Sequence, residues 1–260
     1  MPRLLYRGEA TWVHRLHPLV KLGWLLVFGI AGFIYEQPLY ILGLLLSVLL
    51  IAWQAHIHLR RDLRGSTLIL WMGLFLFALQ AIFYHQGETL LTLRLLPGKP
   101  WSFTDLGLRR GITIGGRFVV IVLSSQIFVL VTDPSALAYA LMRAGLPYRY
   151  GFAFITALRL VPVFEEEATT VYQAQLTRGV RYDAHALRRA YELLRQFLLP
   201  MLVSALRKVD ALAISMEGRQ FGRYPRRTFL RSSAFKQTDR WATGILALFI
   251  LLTTFLKISF

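Results

Sequence analysis

Apolar residues are concentrated in five runs along this chain, and shorter polar or basic segments separate them. The runs cover residues 19–35, 38–55, 66–84, 112–132 and 241–258. A helix that crosses a bilayer needs about 17–25 mostly apolar residues, so each run is long enough to be a span. The pattern therefore predicts five transmembrane helices, four before residue 133 and one after residue 240.

A short helix is predicted directly after the fourth run. Asp133 followed by Pro134 is typical of a helix start, because the aspartate accepts from the first free N–H groups and proline suits the first helical position. Gly145 followed by Pro147 is typical of a helix end. These signals predict one short helix between residues 134 and 145.

Two much longer helices are predicted next, over about residues 148–178 and 184–217. Pro162 lies inside the first and Pro200 inside the second, and a proline removes one backbone hydrogen bond and crowds the preceding turn. We therefore expect each helix to bend or break at its proline. The apolar residues of both helices are too numerous for a solvated rod, so we expect these helices to pack on each other and on the face of the bilayer. They are Phe152, Phe154, Leu158, Val161, Val163, Phe164, Leu194, Phe197, Leu198, Met201, Leu202 and Leu206.

Together these elements predict an all-α membrane protein with three regions. Residues 1–132 carry four spans and residues 241–260 carry the fifth. Between them, residues 133–240 form a cytoplasmic platform of one short and two long bent helices. A platform of this size is longer than a loop between two spans requires, because 30 helical residues extend about 45 Å.

The charge of the chain favours a membrane surface over nucleic acid as its neighbour. It contains 30 Lys and Arg against 14 Asp and Glu, a net charge of +16, yet 55% of its residues are hydrophobic. Residues 133–240 hold 17 of the basic and 9 of the acidic residues, and no groove-reading or base-stacking motif accompanies them. The chain has no cysteine, which excludes disulfides and thiolate metal sites.

Lys and Arg are also typical of the cytoplasmic side of a membrane protein. This rule places the amino terminus, residues 60–64 and residues 133–240 in the cytoplasm. It is opposed by residues 85–111, which carry a net charge of +2 but lie outside in this topology. Arg117 falls about five residues inside the fourth span, and we expect its side chain to reach back to the outer face.

The ends of the two long helices resemble each other. The first reads Thr177-Arg178-Gly179 and the second Gly218-Arg219-Gln220. An arginine at a helix end can bind a carboxylate of another protein with two parallel hydrogen bonds. Arginine in a last turn followed by glycine is also an ordinary helix cap, so both interpretations apply at this point.

Catalytic or metal-binding patterns are not evident in the sequence. It contains no glycine-rich phosphate loop, so we expect no ATP hydrolysis by this chain. Its six histidines are scattered, and residues 165–167 are three glutamates best explained as a solvated face. Two function classes are open at this point: an integral membrane enzyme acting on lipid-linked or phosphorylated substrates, and a plain membrane anchor for a partner complex.

Two stretches resemble the transmembrane T component of energy-coupling factor transporters, the prokaryotic ATP-driven uptake systems for vitamins and for nickel or cobalt ions. Residues 13–22 are similar to an amino-terminal His-Arg-Leu-Asp-Pro motif that precedes a lysine, with His17 in place of the aspartate. Residues 132–135 and 157–166 resemble the short coupling helix of that family and the start of its long one.

The resemblance implies that the two helix ends are the coupling motifs of that family, which read Ala-Arg-Gly. Here Thr177 replaces the first alanine, while Gly218 and Gln220 replace the alanine and glycine of the second motif. A left-handed cap suits glycine and costs a residue with a side chain about 1 kcal/mol or more. We therefore expect the second helix to end later, at Gly222.

The resemblance also implies the partners of the chain. Two cytoplasmic ABC-type ATPases would each receive one arginine-bearing helix end and would use the ATP and magnesium. A separate small membrane protein would bind the transported substrate. The chain itself would be a non-catalytic, multi-pass protein of the cell membrane that binds no cofactor or metal and transmits the motion of the ATPases.

Overall fold

The computed structural model describes residues 11–34, 36–56, 66–84, 89–93, 101–180, 187–224 and 235–259. Nine helices and two strands lie within these ranges. The helices are α1 (Trp12–Arg15), α2 (Pro18–Ile34), α3 (Pro38–Gln54), α4 (Ser66–Phe83), α5 (Asp105–Val131), α6 (Pro134–Arg143), α7 (Tyr148–Thr177), α8 (Leu187–Gly218) and α9 (Gln237–Ser259). The strands are β1 (Thr89–Leu93) and β2 (Trp101–Thr104). The basic segment at residues 60–64 lies outside the described residues.

The five predicted spans correspond to α2, α3, α4, α5 and α9. Four of them begin and end within about four residues of the prediction, but α5 begins at Asp105, seven residues earlier than expected. The side chain of Thr104 accepts a hydrogen bond from the N–H of Gly107 at 3.1 Å and so caps this early start. The prediction missed it because Arg109 and Arg110 interrupt the apolar pattern.

The longer α5 changes the position of Arg117, which lies in the fourth turn of the helix rather than close to its start. Its guanidinium carbon is 5.2 Å from the centroid of the Phe33 ring, near the carboxyl end of α2. The helix therefore begins two turns before the apolar run, and the reach of the Arg117 side chain to the outer face stays a prediction.

Helix length and composition agree with a membrane protein. By both measures α5, with 27 residues, can cross a bilayer, while Pro18–Ile34, Pro38–Gln54 and Thr67–Phe83 are shorter apolar helices. Helices of 17 residues lie at the short end of the range for a span. Large apolar side chains such as Leu39, Phe33 and Trp71 are exposed on these helices, which fits a surface that faces lipid.

The chain forms two compact units. The first comprises the described parts of Met1–Ala140 and Ser233–Phe260, and the second those of Leu141–Ser232. In the first unit α5 packs against α2, α3 and α4, and α9 packs against α2. Its core is built from fully buried aliphatic side chains, which include Ile41, Leu44, Val48, Val120 and Ile127.

Glycines allow α4 and α5 to approach each other closely. Gly107, Gly111 and Gly115 recur every four residues along α5 and therefore share one face. A Cβ atom at Gly115 would lie 2.6 Å from the carbonyl oxygen of Gly73, and one at Gly111 would lie 2.9 Å from that of Phe77. Membrane helices commonly use such small residues for backbone contact. We call this contact the α4–α5 glycine seam.

A short antiparallel hairpin of β1 and β2 precedes α5, with Leu93 paired to Trp101 and Thr89 to Thr104. The helical prediction did not include it, although threonine and aromatic residues favour strands. The Thr104 hydroxyl donates to the carbonyl of Tyr84 at 2.8 Å, so the hairpin is fixed to the end of α4.

We predict that Gly115→Ala destabilises the protein by about 1–3 kcal/mol, because the added methyl group would clash with backbone that cannot move aside cheaply. Thermal unfolding in detergent measures this. Gly43→Ala on α3 is the control, since nothing lies within 4 Å of a Cβ atom there. Equal unfolding temperatures for the two variants would contradict the proposed role of the glycine seam.

Candidate functional site

The second unit contains the two long helices and both predicted coupling ends. α7 extends over 30 residues and α8 over 32, and both continue as helix through their prolines, Pro162 and Pro200. The alternative of a break at either proline is therefore excluded. A bend remains the expectation, because each proline lacks the N–H of the regular ladder.

The carboxyl end of α7 closes in a left-handed turn at Gly179, which has φ +82°. The N–H of Val180 donates to the carbonyl of Gln175 at 3.1 Å, and the N–H of Gly179 donates to that of Leu176 at 3.0 Å. This pair of bonds defines the Schellman motif, which satisfies carbonyls that the helix end would leave free. Arg178 is the capping residue of this turn and its side chain is exposed.

The end of α8 has the same geometry. The N–H of Phe221 donates to the carbonyl of Met216 at 2.9 Å, and the N–H of Gln220 donates to that of Glu217 at 2.8 Å. Gln220 adopts φ +54°, and α8 ends at Gly218 with Arg219 in the capping position. The expected later stop at Gly222 was therefore wrong. The backbone adopts the left-handed conformation at Gln220 at a steric cost that Gly179, which has no Cβ atom, does not have at the first end.

Thr177, Arg178 and Gly179 thus occupy the same backbone positions as Gly218, Arg219 and Gln220. Both arginines are exposed, and each directly precedes a residue with positive φ. We call these two turns the arginine tips. Apart from the shared arginine the two triplets differ at every position, so the likeness of the tips is one of backbone geometry.

Contacts at several levels show that α7 and α8 run antiparallel. Near the end of α7, the side-chain amide of Gln175 donates to the carbonyl of Gln196 at 3.0 Å. At the other end, the rings of Phe152 and Phe221 are 4.4 Å apart. The tips therefore lie at opposite ends of the pair. With 26 residues between Phe152 and Arg178, their separation along α7 is about 40 Å.

Aromatic side chains fix the second tip to the start of α7. Phe221 lies between Phe152 and Tyr148, whose ring centroid is 6.0 Å away, and Met216 and Leu212 line the same apolar cavity of about 570 Å³. An apolar residue just beyond the turn commonly packs in this way in a Schellman motif. The orientation of Arg219 therefore depends on the first turn of α7 as well as on α8.

A buried glycine joins α6 to α7 within the second unit. A Cβ atom at Gly151 would lie 2.3 Å from the side chain of Met142, so a larger residue at this position would require that side chain to move. α6 itself ends in a third Schellman motif at Gly145, which has φ +118°. Its start is as predicted, because the Asp133 carboxylate accepts from the N–H of Ser135 at 3.0 Å.

A polar cluster connects the middles of the two long helices. Glu167 on α7 accepts from the ammonium of Lys208 at 2.6 Å and from the hydroxyl of Ser204 at 2.8 Å, both on α8. These two hydrogen bonds, first that of Lys208 and then that of Ser204, hold the pKa of the Glu167 carboxyl below its ordinary value. The prediction treated residues 165–167 as a solvated face. That holds for Glu165 and Glu166, but not for Glu167, which is partly covered by its contact with α8.

Most of the apolar face of α8 is left uncovered. Leu194, Leu198, Leu202 and Leu206 recur every four residues and are 43–62% exposed. They share one face, which we call the apolar stripe. The expected packing between the long helices is therefore only partial, and the remaining surface is available to lipid or to another protein.

The described residues contain no group of three or more His, Asp or Glu side chains that could hold a metal ion. The arrangement offers instead two exposed cations at fixed positions and one long apolar stripe. Such features can bind other proteins and can transmit a displacement along a helix pair.

We predict opposite effects of exchanging the left-handed residues of the tips. Gly179→Gln should destabilise the first tip by about 1–2 kcal/mol, because a side chain disfavours positive φ. Gln220→Gly should stabilise the second tip by a smaller amount, since glycine loses more backbone entropy, about 0.5–1 kcal/mol. Amide hydrogen exchange at the helix ends measures both effects. Gln173→Gly inside α7 is the control and should cost about 1 kcal/mol. The same sign of change at both tips would contradict the geometry.

We also predict that the cross-helix contact of Glu167 weakens in acid. Because the folded-state pKa of Glu167 is lowered, its contribution to stability is fully present above the ordinary carboxyl pKa and is lost as the pH falls through the lowered value. Hydrogen exchange of α7 and α8, followed as the pH is reduced, measures this loss. Glu167→Gln should remove that part of the pH dependence, whereas Glu166→Gln, with an exposed side chain, should retain it.

Known proteins are similar to this chain in sequence over nearly its whole length. The CbiQ family, described as cobalt transport protein, matches residues 9–230. The energy-coupling factor transporter transmembrane protein EcfT of Heliobacterium modesticaldum is 31% identical over 257 residues, which cover 94% of this chain and 93% of that protein. The proteins of the same name from Streptococcus thermophilus and Thermotoga maritima are 28% and 26% identical, and they cover 93% of this chain each and 93% and 86% of their own lengths. The chain therefore belongs to the CbiQ family, as a membrane protein of the kind that forms the T component of energy-coupling factor transporters.

Proposed function

We propose that this chain is the non-catalytic scaffold of an ATP-driven uptake transporter, and that it transmits motion from two ATPase subunits to a separate substrate-binding membrane protein. The observation that carries the proposal is the pair of arginine tips. Two helix ends that both close in a Schellman motif, each with an exposed arginine in the capping position, lie at opposite ends of one antiparallel pair.

The chemistry of the tips suits two similar protein partners. A guanidinium can bind a carboxylate through two parallel hydrogen bonds, which fixes direction as well as affinity. Because the tips are about 40 Å apart along α7, one globular subunit would not easily cover both. Two copies of one ATPase, or two related ATPases, could each receive one tip in an equivalent way.

The helix pair also suits the transmission of movement. Contacts at Gln175, Glu167 and Phe152 connect α7 to α8 at both ends and in the middle. A displacement of one tip would therefore shift the whole pair rather than bend its end. The apolar stripe on α8 would present that movement to the substrate-binding membrane protein, which selects the vitamin or metal ion in this proposal.

The proposed orientation places the second unit in the cytoplasm. Its exposed cations include Arg149, Arg159, Arg178, Arg195 and Arg219, and basic residues are enriched on the cytoplasmic side of membrane proteins. The same side gives the tips access to cytoplasmic ATPases, which would bind the ATP and magnesium. The five apolar helices would cross the bilayer of a prokaryotic cell.

We predict that reversing both tip charges, Arg178→Glu with Arg219→Glu, removes the ATPases from the purified complex while the chain still inserts into the membrane. Loss of one partner in a buried, hydrogen-bonded charge pair costs about 2–5 kcal/mol, so retention should fall by at least about tenfold. Affinity purification from detergent, with quantification of the co-purified ATPases, measures the effect.

The matched control is Arg159→Glu with Arg195→Glu, which reverses two exposed charges on the same helices away from the tips. It should retain the ATPases. Equal amounts of co-purified ATPase for the tip and control variants would contradict the proposal. Turnover of a lipid-linked substrate by the purified chain alone would favour the membrane enzyme instead.

A further inference from the structure

The amino-terminal segment of the first unit holds two distant parts of the chain through one lysine. The ammonium of Lys21 donates to the carbonyl of His14 at 2.9 Å and to the carbonyl of Val131 at 2.9 Å. Val131 is the last residue of α5, so its carbonyl is one of those that a helix end leaves without an intrahelical partner. Lys21 is buried, at 6% exposure, and caps this helix end from another helix.

One buried aspartate performs the opposite task at the start of α9. The Asp239 side chain, 1% exposed, accepts from the N–H of Lys236 at 2.8 Å and so closes a capping box on its own helix. Its second oxygen accepts from the N–H of His17 at 2.8 Å, at the start of α2. The ring of His17 also stacks on that of Phe235 at 4.4 Å.

His17 completes the start of α2 in an unusual way. Its ring nitrogen Nδ1 accepts from the N–H of Leu19 at 3.3 Å, the role that a short acidic or hydroxyl side chain normally has at this position. The larger ring covers Phe235 as well. Residues 14–21 therefore contact the end of α5 and the start of α9, and we call them the amino-terminal clamp.

Both contacts lie in the first unit, close to the two points where the chain passes into the second unit and returns from it. The chain leaves α5 at Val131 and continues through α6 into the second unit, and it returns from that unit at Phe235 to enter α9. These connections are the covalent links along which a displacement of the second unit acts on the first. Both are held by the same eight-residue segment, although more than 100 residues separate Val131 from Asp239 in the sequence.

We propose that Lys21 and Asp239 are positioning residues for energy coupling: through the amino-terminal clamp they fix the two connections, so that movement of the second unit is passed to the membrane helices rather than absorbed at the joints. This inference rests on the proposed function. It assigns a role to two residues outside the arginine tips.

Two buried charged side chains hold the helix ends at these connections. Lys21 and Asp239 are both buried, and between them they satisfy backbone groups at the ends of α2, α5 and α9. Hydrogen bonds to charged groups are stronger than neutral ones, and loss of one partner leaves the other group buried and unsatisfied. Removal of either charge should therefore loosen the joints while the glycine seam and the aliphatic core still hold the helices together.

The test uses the complete complex in lipid nanodiscs, assembled with cysteine-free versions of the other subunits. The chain itself contains no cysteine, so Leu46→Cys on α3 and Ala211→Cys on α8, both exposed, give two unique spin-label sites. Pulsed electron–electron double resonance then measures the distribution of distances between the two spin labels, with and without ATP. ATPase retention and ATP hydrolysis are measured on the same samples.

We expect the unaltered chain to show a nucleotide-dependent change in this distance. Lys21→Met and Asp239→Asn should retain the ATPases and hydrolyse ATP but lose the change, whereas Lys21→Arg should restore it because a charged donor is kept. Arg240→Met, an exposed cation beside Asp239, is the matched control and should behave like the unaltered chain. If Lys21→Met does not accumulate, Asp239→Asn decides, since it keeps the shape of the side chain.

A nucleotide-dependent change that persists in both clamp variants overturns this inference alone. A parallel loss of ATPase retention and hydrolysis in these variants also overturns it, because it would show a general structural role. Failure of the unaltered chain to retain ATPases overturns the proposed function itself, and the inference with it.

Discussion

Every α-helix leaves its last carbonyls and first N–H groups without partners inside the helix, and this constraint shapes the parts of the protein that matter most. At the ends of α7 and α8 the backbone satisfies those carbonyls by reversing into a left-handed turn. The reversal leaves the capping residue exposed, and in both helices that residue is an arginine. The same requirement at the end of α5 is met by the ammonium of Lys21.

The two long helices work as one body because they are connected along their length. A salt bridge and a hydroxyl at Glu167, an amide at Gln175 and stacked rings at Phe152 lie at different levels of the pair. A single such contact on a protein surface contributes little, since solvent screens exposed ion pairs. Spread over the pair, they resist sliding and splaying, which is what a transmitting element requires.

Hydrophobic patterning was sufficient to predict the helical fold and most helix boundaries. It failed at α5, because Arg109 and Arg110 interrupt the apolar pattern over the first two turns of the helix. It also failed at β1 and β2, whose short alternating runs are typical of loops as well as of strands. It also failed at the second arginine tip, where a later stop at Gly222 was expected because glutamine at positive φ contradicts the usual preference for glycine. Local sequence rules could not show that tertiary contacts of Phe221 hold the turn closed.

The roles of Lys21 and Asp239 were beyond any local pattern. Their partners lie 110 and 222 residues away, so no spacing rule connects them. A lysine within an apolar run and an aspartate in the first turn of a helix each have ordinary explanations when considered separately. The fold brings these remote groups together, and this is where coordinates add most to the sequence.

The glycine seam has one further consequence, for how the membrane part can adapt during evolution. Where two helix backbones are in contact, a substitution adds atoms for which there is no space, so one helix cannot accept a larger residue unless the other helix moves. α4 and α5 should therefore be inherited as a fixed spine. Elsewhere the core of the first unit is built mainly from aliphatic and aromatic side chains, which can be exchanged for others of similar volume.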